Sequence, residues 1–322
     1  MATIYDVARL AGVSPATVSR VFNGTTVTPQ NERVVKEAAA ELDFVPNRTA
    51  RTLRLRSSDI IALVIPDIEN PYFTALARGV EDEARAAGYS VVLCNTDDDM
   101  SRESGYLDVA VSEHMAGVII AAASDRSDLS PLLDRNKAVV AVDRVPRGAA
   151  IDAVTVDNVA GGRAATTLLV ERGYRRIACI AGPADVETST RRIAGWSAAL
   201  EAAGLPEDPT LLEHADYRVD GGYAALERLL AHDERPDAVF VANNLMSVGA
   251  LRALRDAGIH PPAVGIASFG ALPFSTSAPT GVSTVSLPAR ELGSAAARIL
   301  LERIAGDRQE PRTVVLEAVP VV

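Results

Sequence analysis

Residues 3–24 read TIYDVARLAGVSPATVSRVFNG, and their spacing decides what the first segment of the chain is. Thr3 with Asp6 three positions on is a capping-box-like helix start, using Asp where Glu is commoner. A helix follows to about Ala11, with Ile4, Val7, Ala8 and Ala11 on one face. Gly12 permits the turn. Ser14 caps a second helix whose first residue is Pro15, where a missing N–H costs nothing. That helix runs Pro15–Phe22 and stops at Asn23-Gly24. Two short helices joined by Gly-Val-Ser make a helix-turn-helix. A third helix, about Pro29 to Leu42, starts after Thr28 and turns Val34, Val35, Ala38 and Leu42 inward.

The second helix bears on chemistry. With Val13, Val18 and Val21 facing the core, Pro15, Ala16, Thr17, Ser19 and Arg20 are left outside. An outer face of short side chains can lie deep in a major groove. There Arg pairs bidentately with guanine O6 and N7, and Ala meets a thymine methyl. The hydroxyls of Tyr5, Ser14 and Thr17 suit phosphate oxygens. The same spacing also fits an ordinary small helical bundle with Arg20 as a solvated charge. Residues 47–57, NRTARTLRLRS, tilt the balance: arginines occur without an acid and are interleaved with Ala50, Leu53 and Leu55. A short helix that orders on DNA uses such a pattern, with Arg and Asn on phosphates and an apolar side chain wedging a minor-groove step. A basic linker with incidental leucines is the alternative.

The basic character is local. Residues 1–58 carry eight basic and five acidic side chains, a net +3, whereas the whole chain is −10, which leaves −13 on the rest. A small basic head on a large acidic body suggests that one module meets a polyanion and the other does something else. The chain has 322 residues, 48% hydrophobic and 23% charged, which is globular and long enough for two or three domains. Cys94 and Cys179 are too few for a disulfide framework or a zinc finger. No apolar run follows a basic start, and none reaches the roughly 18 residues of a membrane helix. Secreted and integral-membrane classes are therefore excluded on this reading, and a cytoplasmic location is expected.

From residue 59 onward, short apolar runs alternate with helical patterns. Strand-like runs are 60–65, 90–93, 118–121 and 139–142. The pattern restarts at 177–181, 211–213, 238–242 and 264–267. Alternation over this length argues parallel sheets with right-handed crossovers, and its repetition argues two lobes with a cleft. Ligands in such sheets sit beyond the carboxyl ends of the strands. Candidates there are Asp67, Tyr72 and Phe73, then Asp143 with Arg144, Arg192 beside Arg191, Tyr217, and Asn243 with Asn244. Aromatics with polar forks describe a site for a small hydroxylated or heterocyclic ligand. Each taken singly also fits a local cap, a salt bridge or a core aromatic. Neither a dinucleotide-binding nor a P-loop signature occurs, and Gly161-Gly162 reads as close helix packing. His114, His214, His232 and His260 lack metal-ligand spacing, and no nucleophile elbow is present, so neither an enzyme nor a cofactor or metal is expected.

TIYDVARLAGVSPATVSRVFNG followed by ELDFVPNRTARTL resembles the lactose-repressor and purine-repressor (LacI-type) family. The similarity continues through IIALVIPDIENPYF, VTVDNVAGGRAAT, RIAGW, VFVANNLMSVGAL and ELGSAAARILLERI. The resemblance implies a small all-α helix-turn-helix head plus an α/β two-lobed periplasmic-binding-protein-like core with parallel sheets. It implies a DNA-binding domain over 1–46, a hinge helix over 47–58 and an effector-binding and dimerisation domain over 59–322. The first lobe would be about 59–157 plus 286–308, and the second about 158–285 plus 309–322. Arg20 and Ala16 match base-facing positions. Tyr5, Ser14, Thr17 and Asn23 match phosphate-contacting ones. Asn47, Ala50 and, with them, Arg51 fall in the hinge helix, and Leu53 matches its wedge. Phe73, Arg192, Tyr217, Asn243 and Thr188 match effector positions, and Asp67, Tyr72 and Asp143 stand beside them. A homodimer on a palindromic operator is implied, with no C-terminal tetramer helix.

One departure stands out. Where the family has a strand-end acid in a G-F-D-like motif, this chain has Ser268-Phe269-Gly270, and Asn244 stands where Asp is common. Two absent carboxylates beside Arg192, Arg191 and Arg144 suggest an electropositive cleft. On that ground the effector is expected to be anionic or phosphorylated, with a sugar-like ligand as the other option. A pocket that no longer responds to any effector is the bland alternative, and a solute-binding receptor the competing class. The missing leader and the basic head argue against the receptor.

Overall fold

The computed structural model describes residues 2–22, 26–44, 58–273 and 281–321. Contacts divide the chain into two units, Met1–Ser58 and Asp59–Val322. The first holds α1 (Ile4–Ala11), α2 (Pro15–Phe22) and α3 (Pro29–Glu41). Each helix begins at a local cap. The Asp6 carboxylate takes the Thr3 N–H at 3.0 Å while the Thr3 side chain accepts from the Asp6 N–H. Ser14 Oγ accepts the Thr17 N–H at 3.1 Å, and Thr28 caps α3. Gly12 ends α1 with φ 66°, a left-handed stop that suits a residue without Cβ. One fully buried valine from each helix, Val7, Val18 and Val35, makes the centre of the core. The Phe22 and Phe44 rings meet over its side, centroids 5.7 Å apart.

The second unit contains two six-stranded sheets. In the first lobe run β1 (Ile60–Ile65), α4 (Pro71–Ala86), β2 (Ser90–Asn95), α5 (Met100–Ser112), β3 (Gly117–Ile120), α6 (Ser130–Leu133), β4 (Ala138–Val142) and β5 (Asp152–Val156). The second lobe runs α7 (Asn158–Glu171), β6 (Ile177–Ala181), α8 (Glu187–Ala202), β7 (Leu212–His214), α9 (Val219–Leu230), β8 (Ala238–Val241), α10 (Asn244–Asp256), β9 (Gly265–Phe269) and β10 (Val282–Ser286). The chain then returns through α11 (Ala289–Ile304), β11 (Thr313–Leu316) and β12 (Val319–Val321). The sheet orders are β11-β5-β4-β3-β1-β2 and β12-β10-β9-β8-β6-β7. Every pairing is parallel except β10 with β12. Central strands such as β3, β6 and β8 are buried along their whole length, because helices cover both faces of each sheet.

Matching close helix contacts stiffen the lobes. A Cβ on Gly293 of α11 would come within 2.0 Å of the Leu76 carbonyl oxygen on α4. A Cβ on Gly195 of α8 would come within 2.3 Å of the Val159 carbonyl oxygen on α7. Gly161-Gly162 also sits in that packing, with Gly162 against the Arg192 backbone.

Four strands, β5, β10, β11 and β12, lie outside the eight runs expected from the sequence. β5 and β10 are as long as the recognised β4, β6 and β9, and each is held by strands on both sides, β5 by β4 and β11, and β10 by β9 and β12. The expected lobe division also needs correction at the C-terminus. Residues 309–322 do not all belong with the second lobe, since β11 pairs with β5 in the first sheet and only β12 joins the second. The cause is Asp152, buried at the start of β5. Its carboxylate takes a two-pronged grip from Arg303 at the end of α11, at 2.7 and 2.9 Å, and the Arg312 N–H at 3.0 Å. That clamp delivers the chain to the edge of β5. Among the described residues no helix is long and apolar enough to cross a membrane.

Candidate functional site

In each sheet the second strand is laid outside the first, so the strand order reverses at β1 and again at β6. The carboxyl ends beside such a reversal leave a crevice. The two crevices face one another across a cleft that encloses a cavity of about 250 Å³. Asp67, Tyr72, Phe73, Asp143, Thr188, Arg192, Tyr217 and Asn243 all line it, though they are spread over nearly 180 positions.

The first-lobe wall is built from a cap and two strand ends. Asn70 caps α4, its Oδ1 accepting the Tyr72 N–H at 3.0 Å, which sets Tyr72 and Phe73 in the first turn. Phe73 is largely core, with Tyr72 edge-on to it at 5.0 Å. The Tyr72 hydroxyl donates to Asp143 Oδ1 at 2.8 Å. Desolvation and the Asp143 carboxylate push the phenol well above its ordinary pKa, so it stays a donor. Asp143 directly follows β4 with φ 62°, a left-handed conformation rare for a residue with a side chain. Arg144 is buried, and its Nη1 lies 2.5 Å from Asp98 Oδ1.

The second-lobe wall centres on Arg192, which α8 presents one turn after Thr188. Its Nε donates to Asn158 Oδ1 and its Nη1 to the Ala242 carbonyl, both at 2.7 Å. Its guanidinium lies 4.1 Å from the Phe269 ring centre and 5.8 Å from that of Tyr217. Tyr217 is also left-handed, at φ 64°, and its hydroxyl is 3.2 Å from Thr188 Oγ1. Asn243 caps α10 through the Met246 N–H and donates Nδ2 to the Tyr217 carbonyl, both at 2.8 Å, which holds that strained residue in place. A Cβ at Gly182 would stand 2.0 Å from the Tyr217 ring, so the ring rests directly on backbone.

The electropositive cleft is overturned. Asp67, Asp98, Asp143 and Asp216 face Arg144, Arg192 and Arg218, so lining carboxylates outnumber arginines four to three. Asp98 and Asp216 come from the loops after β2 and β7, and the sequence patterns had not placed either at the site. Asp98 takes the Arg144 charge. The expectation of an anionic or phosphorylated effector rested on that charge, and it falls with it. Gly270 lies in the cleft at φ 105°, its N–H bonded to Val285 and its carbonyl to Ser268 Oγ, both at 2.8 Å. That backbone suits glycine, so an acid there would be strained as well as missing. Asn244 crosses the cleft instead, donating Nδ2 to Asn70 Oδ1 at 3.0 Å. Asn70, Asp98, Asp216, Arg218 and Phe269 are cleft residues that sequence reasoning missed. The run of acids after β2 was the one available signal for Asp98. Among the described residues no cluster of His, Cys, Asp and Glu could hold a metal.

In the head, Tyr5 is 69% exposed, and Ser14, Pro15, Ala16 and Arg20 are exposed too. Thr17 and Ser19 are half-buried rather than fully outside. Thr17 Oγ1 shares a 2.9 Å hydrogen bond with Ser14 Oγ across the start of α2. Asn23, Asn47, Ala50, Arg51 and Leu53 lie outside the described residues.

Residues 58–319 match the family of periplasmic binding proteins and sugar-binding domains of the LacI family, and residues 3–47 match the lacI family of bacterial regulatory proteins. The HTH-type transcriptional regulator CelR of Thermobifida fusca is 36% identical over 98% of this chain and 95% of its own. The ribose operon repressor of Escherichia coli K12 is 34% identical over 94% of this chain and 93% of its own. A solved CelR–cellobiose complex superposes with a TM-score of 0.74 at 35% identity, covering 100% of this chain and 99% of that one. The chain is a DNA-binding transcriptional regulator and belongs to the LacI family.

Proposed function

We propose that the chain is a cytoplasmic repressor that binds a palindromic operator as a homodimer, and that a saccharide in the inter-lobe cleft sets its operator affinity. The observation that carries the effector class is the make-up of the two walls. Tyr72 offers an aromatic wall for the apolar side of a sugar ring, and Tyr217 lines the same cleft. Asp67 and Asp143 offer acceptors for its hydroxyls, and Arg192, whose partners are neutral, offers a donor. The relatives point the same way: CelR has been solved with cellobiose, and another relative is a ribose operon repressor.

In the head, Ala16 and Arg20 face bases, while Tyr5, Ser14 and Thr17 hold phosphates beside Pro15 and Ser19. Asn23, Asn47, Ala50, Arg51 and the Leu53 wedge complete the DNA-facing set. One three-helix head reaches few bases. Two on a shared rigid body make the second contact nearly intramolecular. A coupling of about 1–3 kcal/mol between cleft and operator would change operator affinity about 5–150-fold.

The test is selection from a randomised duplex pool, with and without sugars, sugar phosphates and nucleobases. An enriched palindrome whose recovery shifts with a neutral sugar supports the reading. A shift with sugar phosphates alone would overturn the effector class. No enriched sequence under any condition would overturn the operator reading. Arg20→Ala is expected to relax preference at one base pair per half-site, at about 1–3 kcal/mol per contact, in the same selection.

A further inference from the structure

Helix α8 begins without a cap of its own. Val186 stands at its N-cap position and offers no side-chain acceptor. First-turn N–H groups need a partner, and here one comes from the opposite lobe. Asp125 Oδ1 accepts the Glu187 N–H at 2.9 Å. Asp125 is only 7% exposed, and its Oδ2 is gripped by Arg147, with Nε at 3.0 Å and Nη2 at 2.9 Å. The Arg147 N–H closes back on the Asp125 carbonyl at 2.8 Å. Buried Glu103 anchors the same turn from beneath, its Oε2 accepting the Ala123 N–H at 2.7 Å. A rigid carboxylate on one lobe therefore meets the positive end of a 16-residue helix on the other.

We propose that Asp125 is a positioning residue that sets the closure of the two lobes, and through it the affinity of the cleft for its effector. The contact exists only at the inter-lobe angle where the Asp125 turn meets α8, so it biases the lobes toward that angle. Thr188 directly follows the capped residue, and Arg192 sits just over a turn further along the same helix. Holding α8 against the first lobe holds both in the shape of the cleft. Other bridges are weaker in kind. Asn244 and Asn70 join neutral amides, and Arg218 stands 3.9 Å from Asp67 and 4.0 Å from Asp97. The affinity part of the proposal rests on the cleft being the effector site; the closure part does not.

Two substitutions remove the same bond from opposite sides. Asp125→Ala removes the acceptor. Glu187→Pro removes the donor at the first position of α8, where proline is tolerated. Val186 already has the extended backbone, φ −112° and ψ 122°, that a following proline requires. Glu187→Ala controls for the lost 2.6 Å Glu187–Arg191 pair. Both native cysteines are buried, so nitroxides can be placed on cysteines introduced at exposed Arg135 and Glu201, one per lobe. Dilution of the full-length labelled protein with unlabelled chains lets pairs within one chain dominate. The expected result is a broader, longer inter-lobe distance in each variant and no further change in the double variant. Glu187→Ala should match the parent, and Asp125→Asn, which keeps an acceptor but not the charge, should fall between. Affinity for cellobiose and ribose, read from operator release or retention, should drop about five- to tenfold in each single variant and no more in the double. An unchanged distance in Asp125→Ala, or effects of the two variants that add, would overturn the proposal. If neither sugar acts on any variant, the saccharide reading is what fails, and the distances still decide the role of Asp125.

Discussion

The two lobes repeat one topology, five parallel strands in the same spatial order with a sixth from the C-terminal segment at the edge. Their facing rims nevertheless differ in chemistry. The first-lobe rim is mostly acidic, with Asp67, Asp98 and Asp143 around a single arginine that one of them neutralises. The second-lobe rim is aromatic, amide and mixed in charge, with Tyr217, Phe269, Asn243 and Asn244 beside Arg192, Arg218 and Asp216. Their edges differ as well. β11 is clamped by the Asp152–Arg303 fork, whereas β12 is exposed throughout and runs antiparallel. Repetition of a fold therefore reproduces where a site lies but not what the site contains, because the rim is made of loops and caps whose residues the sheet does not constrain.

Breaking the edge asymmetry should have the largest effect. Asp152→Ala leaves Arg303, mostly buried, without its partner and frees β11, which should cost about 3–5 kcal/mol of stability in urea unfolding. Val321→Ala on β12, at a residue already 49% exposed, should change it by about 0.5 kcal/mol at most. Burial alone would raise the Asp152 pKa, but the Arg303 fork and the Arg312 N–H overcome that and hold it below the usual carboxylate range. A carboxyl whose pKa is lowered by folding stabilises the protein above the unfolded pKa of about 4, and that contribution is lost as the pH falls further. Asp152→Ala should flatten the loss, and an unaltered acid limb would show that the clamp is not the cause.

Exchange of the chemistry on each rim comes next. Arg192→Ala removes the charged donor of the second lobe and strands Asn158, and should cost about 2–3 kcal/mol of effector affinity by calorimetry, with the fold intact by circular dichroism. Asp143→Asn on the opposing rim keeps shape and one acceptor for Tyr72, so a smaller loss of about 1 kcal/mol is expected. Equal losses at the two positions would remove the distinction drawn between the walls.

The features legible in the sequence are those made by neighbours. The Thr3–Asp6 capping box, the Gly12 stop, the Ser14 cap and the capped start of α10 at Asn243 join residues within about a helical turn. Period and cap residues therefore expose them directly. Seven of the eight cleft residues were accessible as positions near strand ends and helix starts in an alternating βα pattern, and Thr188 came only with the family resemblance. Tertiary structure alone decided the rest. The lobe that receives β11 depends on Asp152 meeting Arg303, 151 positions away. The sign of the cleft depends on Asp98 meeting Arg144, 46 positions away, and the cap of α8 on Asp125, 62 positions away. Such pairings carry no local period, and their partners are chosen only when sheets and helices have already packed. The chain order therefore determines the elements and the place of the site, while the charge, the closure and the final strand exchange are set by contacts that exist only in the folded body.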